Sequence, residues 1–426
     1  MEGVTLNLLF FIAIVLLMDV YVFRGLQNLA VKWRLLGKKW FLITWIIVTV
    51  SLLGGLLLAV YVKIDLGWRL IIILSFFGLL LFKACFALLL LIDDIRRSGI
   101  FISRKFKKPA VQAPKTKVET ATIPRSEFLL KAGLLAGAIP LAAFKLNMKS
   151  GLYDYQIQRH NLYLPNLPKA FDGMRLGQVS DIHSGSFFDK KAVLGGIEML
   201  LREKPDLIFF TGDLVNKVSW EMRNYQDLFS KVKAPLGVFS SLGNHDYGDY
   251  FDWTSPAAKQ KNFDDLVQTH KNMGWDLLRN ENRRLKIGNE EIGILGIENW
   301  GELSRFPKYG RMDLAVKNTD DLPVKLLLSH DPSHWRAQVL PHYPQIDMVF
   351  AGHTHGMQFG IRTDHFQWSP VEYLYNEWAG FYRHQKQQIY VNVGYGFLGF
   401  RGRVGILPEI TIFTLKAGED PSLKVS

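Results

Sequence analysis

The sequence predicts an α/β domain preceded by a multi-span α-helical membrane region. Long apolar runs are confined to the first 150 residues, and short apolar strands alternate with amphipathic helical stretches from Tyr153 onward. The charge divides at the same place. Residues 1–150 hold 20 Lys and Arg against 7 Asp and Glu, whereas the rest of the 426-residue chain holds 31 against 32. The net charge of +12 therefore belongs to the membrane half, where it reads as topology. The soluble half has no basic excess to neutralise many phosphates, so nucleic acid is disfavoured as a partner.

Three stretches, Val4–Phe23, Phe41–Val62 and Leu70–Ile92, reach the roughly 20 apolar residues that cross a bilayer core of about 30 Å. A shorter fourth, Phe128–Phe144, carries Lys131 and Pro140. The organisation expected is a three-helix transmembrane region over 1–104, a basic linker over 105–127, a fourth transmembrane or interfacial helix over 128–147, and a soluble domain over 153–420. Basic residues cluster between the first two stretches (Lys32, Arg34, Lys38, Lys39) and between the third and fourth (Arg96, Arg97, Arg104, Lys105, Lys107, Lys108), which places both loops in the cytoplasm. With the fourth segment spanning, this is a multi-pass cell-membrane protein whose soluble domain is extracytoplasmic. With that segment lying on the surface, the domain is cytoplasmic. Asp19 and Lys83 fall inside spans, where charges are costly, and are expected to pair or to snorkel near the cytoplasmic end. The lone Cys85 allows neither an intrachain disulfide nor a cysteine metal site.

In the soluble half, strands are predicted at 174–180, 207–211, 237–242, 291–296, 324–328, 347–351, 388–393 and 409–415, and helices at 190–202, 222–232, 258–273 and 334–340. Five strands run directly into polar motifs: Ser180-Asp181-Ile182-His183, Gly212-Asp213-Leu214-Val215-Asn216, Gly243-Asn244-His245-Asp246, Ser329-His330-Asp331 and Gly352-His353-Thr354-His355-Gly356. Open α/β sheets bind ligands beyond the carboxyl ends of their strands. Carboxylate, imidazole and amide donors without thiolate suit Mn²⁺, Fe or Zn²⁺.

These five blocks, in this order, resemble the calcineurin-like metallophosphoesterase superfamily, whose pattern runs D-x-H, G-D-x-x, G-N-H-D/E, H and G-H-x-H. The closing segment Tyr390–Leu415 resembles the membrane-associated branch of YaeI- and YkuE-like phosphodiesterases. The resemblance implies a metallophosphoesterase-type α/β/β/α sandwich and two divalent or trivalent metal ions. One ion would be held by Asp181, His183, Asp213 and His355, and the other by Asp213, Asn244, His330 and His353, with Asp213 bridging. Hydroxide generated on the metals would attack phosphorus. His245 would protonate the leaving oxygen, and Asp246 would orient its ring.

The activity implied is hydrolysis of phosphate mono- or diesters at a lipid bilayer, including lipid-linked or nucleotide-linked phosphates. The alternative is a non-catalytic membrane binding or sensory protein that keeps the metal site. Asn216 stands where many relatives have Asp and is not expected to be a ligand, and Met357-Gln358 replaces a frequent glycine repeat. His270 is expected on the solvated face of its helix, and His330 is preferred over His334 as a ligand because it ends its strand directly. Arg401 and Arg403 are expected either to bind a substrate phosphate or to form surface salt bridges. The aromatic segment 359–390 reads equally as a lip at a lipid interface or as a self-packed loop.

Overall fold

The computed structural model describes residues 2–29, 39–62, 66–106, 151–363 and 365–421. The chain divides into two compact units, Met1–Leu146 and Asn147–Ser426. In the first lie three helices: α1 (Glu2–Leu29), α2 (Lys39–Tyr61) and α3 (Leu66–Phe106). The stretches Lys39–Ala59 and Ser75–Ser103 are long and apolar enough to cross a membrane, by length and composition. Because α3 runs on to Phe106, the first two residues of the expected linker 105–127 are helical. The rest of that linker and the segment 128–147 lie outside the described residues.

The two charges within the helices meet. Lys83 is ion-paired with Asp19, and both are buried. The Trp45 indole N–H and the Thr49 hydroxyl donate to the other Asp19 oxygen at 2.7 and 2.9 Å. Each of α1, α2 and α3 therefore supplies part of one satisfied polar cluster, which is how a buried ion pair is tolerated. The charges pair rather than snorkel.

The second unit is built on strands β1 (Gln156–Leu164), β2 (Arg175–Val179), β3 (Leu207–Thr211), β4 (Val238–Ser241), β5 (Asp276–Leu277), β6 (Glu281–Ile287), β7 (Glu290–Gly296), β8 (Lys325–Leu328), β9 (Met348–Ala351), β10 (Ile361–Arg362), β11 (Gln367–Trp368), β12 (Gly380–His384), β13 (Gln387–Val391) and β14 (Glu409–Ala417). One six-stranded sheet has the order β1-β14-β2-β3-β4-β5, the other β12-β13-β9-β8-β7-β6, and β10 and β11 form a small hairpin. All eight predicted strands are present. The four strands of the large sheets that were not anticipated, β1, β5, β6 and β12, are the four sheet edges. Edge strands such as β6 (ENRRLKI) are polar and carry no continuous apolar run from which to read them.

Side-chain alternation produces the four-layer α/β/β/α sandwich. On β3, Leu207 and Phe209 join an inner core with Leu326, Leu328, Met348 and Phe350 of the facing sheet. Their neighbours Ile208 and Phe210 point the other way, toward Ile197, Leu200 and Leu266 of the covering helices. On the far side, Leu327, Val349 and Ile389 pack with Trp335 and Val339. The helix Lys190–Arg202 has the bounds predicted and begins at Asp189, whose carboxylate accepts from Ala192 N. The helix Pro256–Met273 starts after the cap Ser255 and stops at Gly274, where φ is +79°. The stretch 222–232 is instead broken into a 3₁₀ turn, Ser219–Asn224, and a short helix, Gln226–Phe229. Over 334–340 the chain forms a π-helical turn, Trp335–Val339, rather than a regular helix.

His270 corrects its expectation: it is fully buried, with Nδ1 3.0 Å from the Ser240 hydroxyl. The inward stripe of its helix runs Asn262, Leu266, Thr269, His270 and Met273, so three of its five side chains are polar. Burial pushes the His270 imidazole down to about 3. An unfolded histidine titrates near 6.5. Unfolding therefore takes up a proton below that pH, and the stability contributed is lost as pH falls from 6.5 toward 3. The stability advantage of the native protein over His270→Gln is expected to shrink by about 2 kcal/mol between pH 7.5 and pH 5, measured by chemical denaturation. A difference independent of pH would show that His270 is not held neutral.

Candidate metal centre

The five polar motifs follow β2, β3, β4, β8 and β9, all interior strands, and the parallel pairings within each sheet bring their carboxyl ends together. Two side chains tie the sheets across the gap. The Asp181 carboxylate accepts from His353 N, with both oxygens at 3.0 Å, and His330 Nδ1 lies 2.7 Å from the Thr211 carbonyl. That second contact uses Nδ1–H as donor and leaves His330 Nε2 for the pocket.

Two groups of side chains are placed to hold a metal ion: Asp181, His183 and His355, and Asp213, His330 and His353, each with donor atoms within 4.8 Å of one another. Asp213 Oδ2 lies between them, 3.5 Å from His183 Nε2 and 3.1 Å from His330 Nε2. His355 Nε2 is 3.2 Å from Asp181 Oδ1, and His353 Nδ1 is 3.3 Å from His330 Nε2. Asn244 is buried, with its side-chain N–H donating to the Tyr250 hydroxyl at 2.8 Å. Its Oδ1, both ring nitrogens of His183, His355 Nε2 and Asp213 Oδ2 are buried without a hydrogen-bond partner. Buried polar atoms are almost always satisfied, and a cluster of orphans that includes His183 Nε2, facing Asp213, is the pattern that bound cations complete. The donors are hard oxygen and imidazole nitrogen, so the residues fit a pair of metal ions.

The backbone is bent to this purpose. Asp181, His183, Asp213, His353 and His355 all adopt left-handed conformations, with φ between 48° and 73°. Such residues are costly outside glycine and cluster at functional sites. Gly212, before Asp213, has φ +94°, and a Cβ there would sit 2.6 Å from Gly243 N. The loops after β3 and β4 can approach this closely only with glycine at that point.

Electrostatics follow from the crowding of three carboxylates and several imidazoles away from water. Burial opposes ionisation of Asp213, yet His330 and His245 hold its carboxyl well below the usual range. Asp181 is likewise held low, against burial, by His355 and His330. For His330, burial is outweighed by Asp213 and Asp181, which push the imidazole up to about 10. Burial lowers His183, His245 and His353.

His245 is half-buried beside the first group, its ring 5.0 Å from that of His183. The side chain that orients it is not Asp246. Its Nδ1 lies 2.6 Å from the Asn216 carbonyl, and the Tyr250 ring stacks on it at 4.3 Å. Asp246 is fully buried and turned inward, accepting from the backbone N–H of Gly243, Asp213 and Leu214 at 2.9–3.0 Å. Burial and the nearby charge of Asp213 push its carboxyl up to about 7. Its role is to lock two loops together, and both of its oxygens are occupied by that task. Asn216, passed over as a ligand, contributes its carbonyl.

Arg403 also departs from expectation, being neither a surface residue nor open to substrate. It is wholly buried, donates to the carbonyls of Val393, Gly394, Gly396 and Ile406, and reaches 3.3 Å from His355 Nδ1. Arg401 is exposed, with its guanidinium over the Phe188 ring. His334 points away from the pocket, to Ser329 and Gln338. Sequence reasoning missed Tyr375 and Asp331. The Tyr375 hydroxyl is 2.8 Å from His353 Nε2, and Asp331 Oδ2 lies 3.5 Å from both. With Nε2 so engaged, His353 offers Nδ1 to the pocket. The adjacency of Asp331 to His330 was the one available signal, since nothing in the spacing of the aromatic segment singles out Tyr375. Within that segment Tyr375 and Trp378 are buried, so that part of it is a packed cover, while Phe366 and Tyr373 are exposed.

Comparisons with known proteins agree with this geometry. Residues 174–357 match the family model "Calcineurin-like phosphoesterase", and residues 5–152 match "Probable Calcineurin-like phosphoesterase, transmembrane domain". The chain is similar to the transmembrane protein with metallophosphoesterase domain of Danio rerio, at 28% identity over 59% of this chain and 55% of that protein. It is similar to the uncharacterized metallophosphoesterase YkuE of Bacillus subtilis, at 29% identity over 61% of this chain and 84% of that one. UDP-2,3-diacylglucosamine pyrophosphatase LpxG of Chlamydia trachomatis is 28% identical over 46% of this chain and 68% of its own length. The match thus spans about half the length of the zebrafish relative.

Outer-shell groups that fix a ligand's orientation typically change metal affinity about 10–100-fold when removed. Tyr375→Phe is accordingly expected to weaken binding of one metal equivalent about tenfold or more while leaving the other unchanged, read by competition with a chelator and metal analysis. Equal weakening of both equivalents would show a general loosening of the fold instead.

Proposed function

The chain belongs to the calcineurin-like metallophosphoesterases, and from that premise we propose that it is a membrane-anchored, metal-dependent hydrolase of phosphate mono- or diesters, including lipid-linked or nucleotide-linked phosphates. The observation that carries this reading is the convergence of unpartnered buried donors on two groups that share Asp213 Oδ2, with His245 alongside.

In this reading Asp181, His183, Asp213 and His355 hold one ion, and Asp213, Asn244, His330 and His353 the other. When bound, such a pair activates water near neutral pH and offsets charge building on the phosphoryl oxygens. The protein's own groups do the rest. Tyr250 takes the Asn244 amide N–H and thereby turns Oδ1 inward. The Asn216 carbonyl takes the His245 Nδ1 proton, leaving Nε2 as the nitrogen open to a reacting oxygen. As the water oxygen bonds to phosphorus and the ester P–O bond breaks, the water gives up a proton and the departing alkoxide needs one; His245, with Nδ1–H on the Asn216 carbonyl, is in position to take a proton at Nε2 and pass it to the leaving oxygen. The donor chemistry admits Mn²⁺, Fe and Zn²⁺.

A bilayer setting is supported by the matched transmembrane domain and by LpxG, a relative named for cleaving a diacylated nucleotide sugar. The basic loops and a spanning fourth segment would put the domain on the extracytoplasmic side.

Detergent-solubilised full-length protein with Mn²⁺ is expected to hydrolyse bis-p-nitrophenyl phosphate. Asp213→Ala should abolish the activity, and His245→Ala should reduce kcat about 10²–10⁴-fold. Stoichiometric metal binding without turnover of any phosphate ester would favour the non-catalytic alternative. A periplasm-active reporter fused after Gly151 should be active, and activity only of a cytoplasmic reporter would reverse the placement.

A further inference from the structure

The segment between β7 and the short helix Met312–Ala315 passes beside the second group of donors. It is a built loop. The Asn299 backbone N–H donates to the Tyr247 hydroxyl at 2.9 Å, and the Asn299 side chain donates to the Pro307 carbonyl at 3.1 Å. Glu302 N donates to the Ser333 hydroxyl at 2.9 Å. Gly301 is packed so closely that a Cβ there would lie 2.8 Å from the Phe306 Cβ.

The loop presents Phe306 edge-on to His353, with ring centroids 4.7 Å apart and planes at 85°. The Arg305 guanidinium lies over the other part of that ring, 4.7 Å from its centroid. Arg305 is exposed. Among the described residues it makes no ion pair, whereas Arg279, Arg283, Arg284 and Arg311 in the neighbouring elements are each paired with carboxylates. Its charge is felt at Tyr250 and at Tyr375, the two tyrosines that hold Asn244 and His353, where it opposes the effect of burial. An unpaired guanidinium, stacked on an aromatic ring that touches a proposed metal ligand, is preorganised to meet two oxygens of a phosphoryl group.

We propose that Arg305, seated on Phe306, is a second-phosphate subsite that takes the phosphoryl group next to the one being cleaved. This rests on the phosphohydrolase reading above and narrows it: preferred substrates carry a second phosphoryl group directly beside the scissile one. A guanidinium offers two parallel N–H donors to two phosphoryl oxygens, which Lys cannot do. A substrate with a single phosphate leaves this subsite empty.

The test compares the Mn²⁺-loaded full-length wild type with Arg305→Gln, Arg305→Lys and Phe306→Leu on two substrates. One is bis-p-nitrophenyl phosphate, with one phosphorus, and the other is UDP-N-acetylglucosamine, with a pyrophosphate link. The loss of kcat/KM in Arg305→Gln is expected to be at least tenfold larger on the pyrophosphate substrate, carried mainly by KM, with Arg305→Lys and Phe306→Leu intermediate. Equal losses on both substrates, or none on either, overturn the subsite. A wild type that cleaves the diester but not the pyrophosphate also overturns it, and leaves the hydrolase reading standing. A wild type that cleaves neither sinks the hydrolase reading. Calorimetric binding of α,β-methylene ADP then decides the subsite, with affinity at least tenfold weaker in Arg305→Gln supporting it and equal affinity overturning it.

Discussion

Three buried carboxylates hold the pocket together, and each does so by accepting backbone N–H groups from a loop other than its own. Asp246 takes those of Asp213 and Leu214, Asp213 takes that of His245, and Asp181 takes that of His353. An unpaired carboxylate in such a place would cost several kcal/mol, and so would the unpaired amides at the ends of strands. Each need meets the other. The loops after β2, β3, β4 and β9 are therefore stitched into one rim that spans both sheets, and the left-handed residues of the site persist because that rim over-determines them.

The same crowding sets the charge the pocket wants. Asp181 and Asp213 stay ionised at the cost of raising His330, so in the protein alone a proton on that imidazole balances them. Cations between the carboxylates would meet the same electrostatic demand and also satisfy His183 Nε2, which a proton on His330 does not. Metal and proton thus compete for one electrostatic niche, and the geometry favours the one that reaches more donors.

Much of this was legible in the sequence because strand ends are short-range features. Motifs that follow an apolar run land at the rim whatever the rest of the fold does, so the donors could be named before the sheets were known. What the sequence hid was burial. His270 and Arg403 carry polar side chains that composition assigns to the surface, yet both lie in the interior with hydrogen-bond partners brought from distant strands or loops. Asp246 was misread for a related reason: adjacency to His245 suggested contact, but successive residues of a tight 3₁₀ turn point apart. Edge strands and the partner of His353, Tyr375, are fixed only by tertiary pairing.

The two donor groups are not equivalent, and the difference has a direction. Asp181, His183 and His355 are all buried, and His355 is backed by the buried guanidinium of Arg403. In the second group His353 is half-open, and its orientation, like that of Asn244, depends on a tyrosine hydroxyl. Tyr250 is itself exposed at the mouth, stacked on His245, while Phe306 covers the outer side of His353. The less buried side of the pocket is therefore that of the second group, with Tyr250 stacked on His245, Phe306 against His353 and the unpaired Arg305 on Phe306. A phosphate ester approaching from that side meets the guanidinium, the second group and His245.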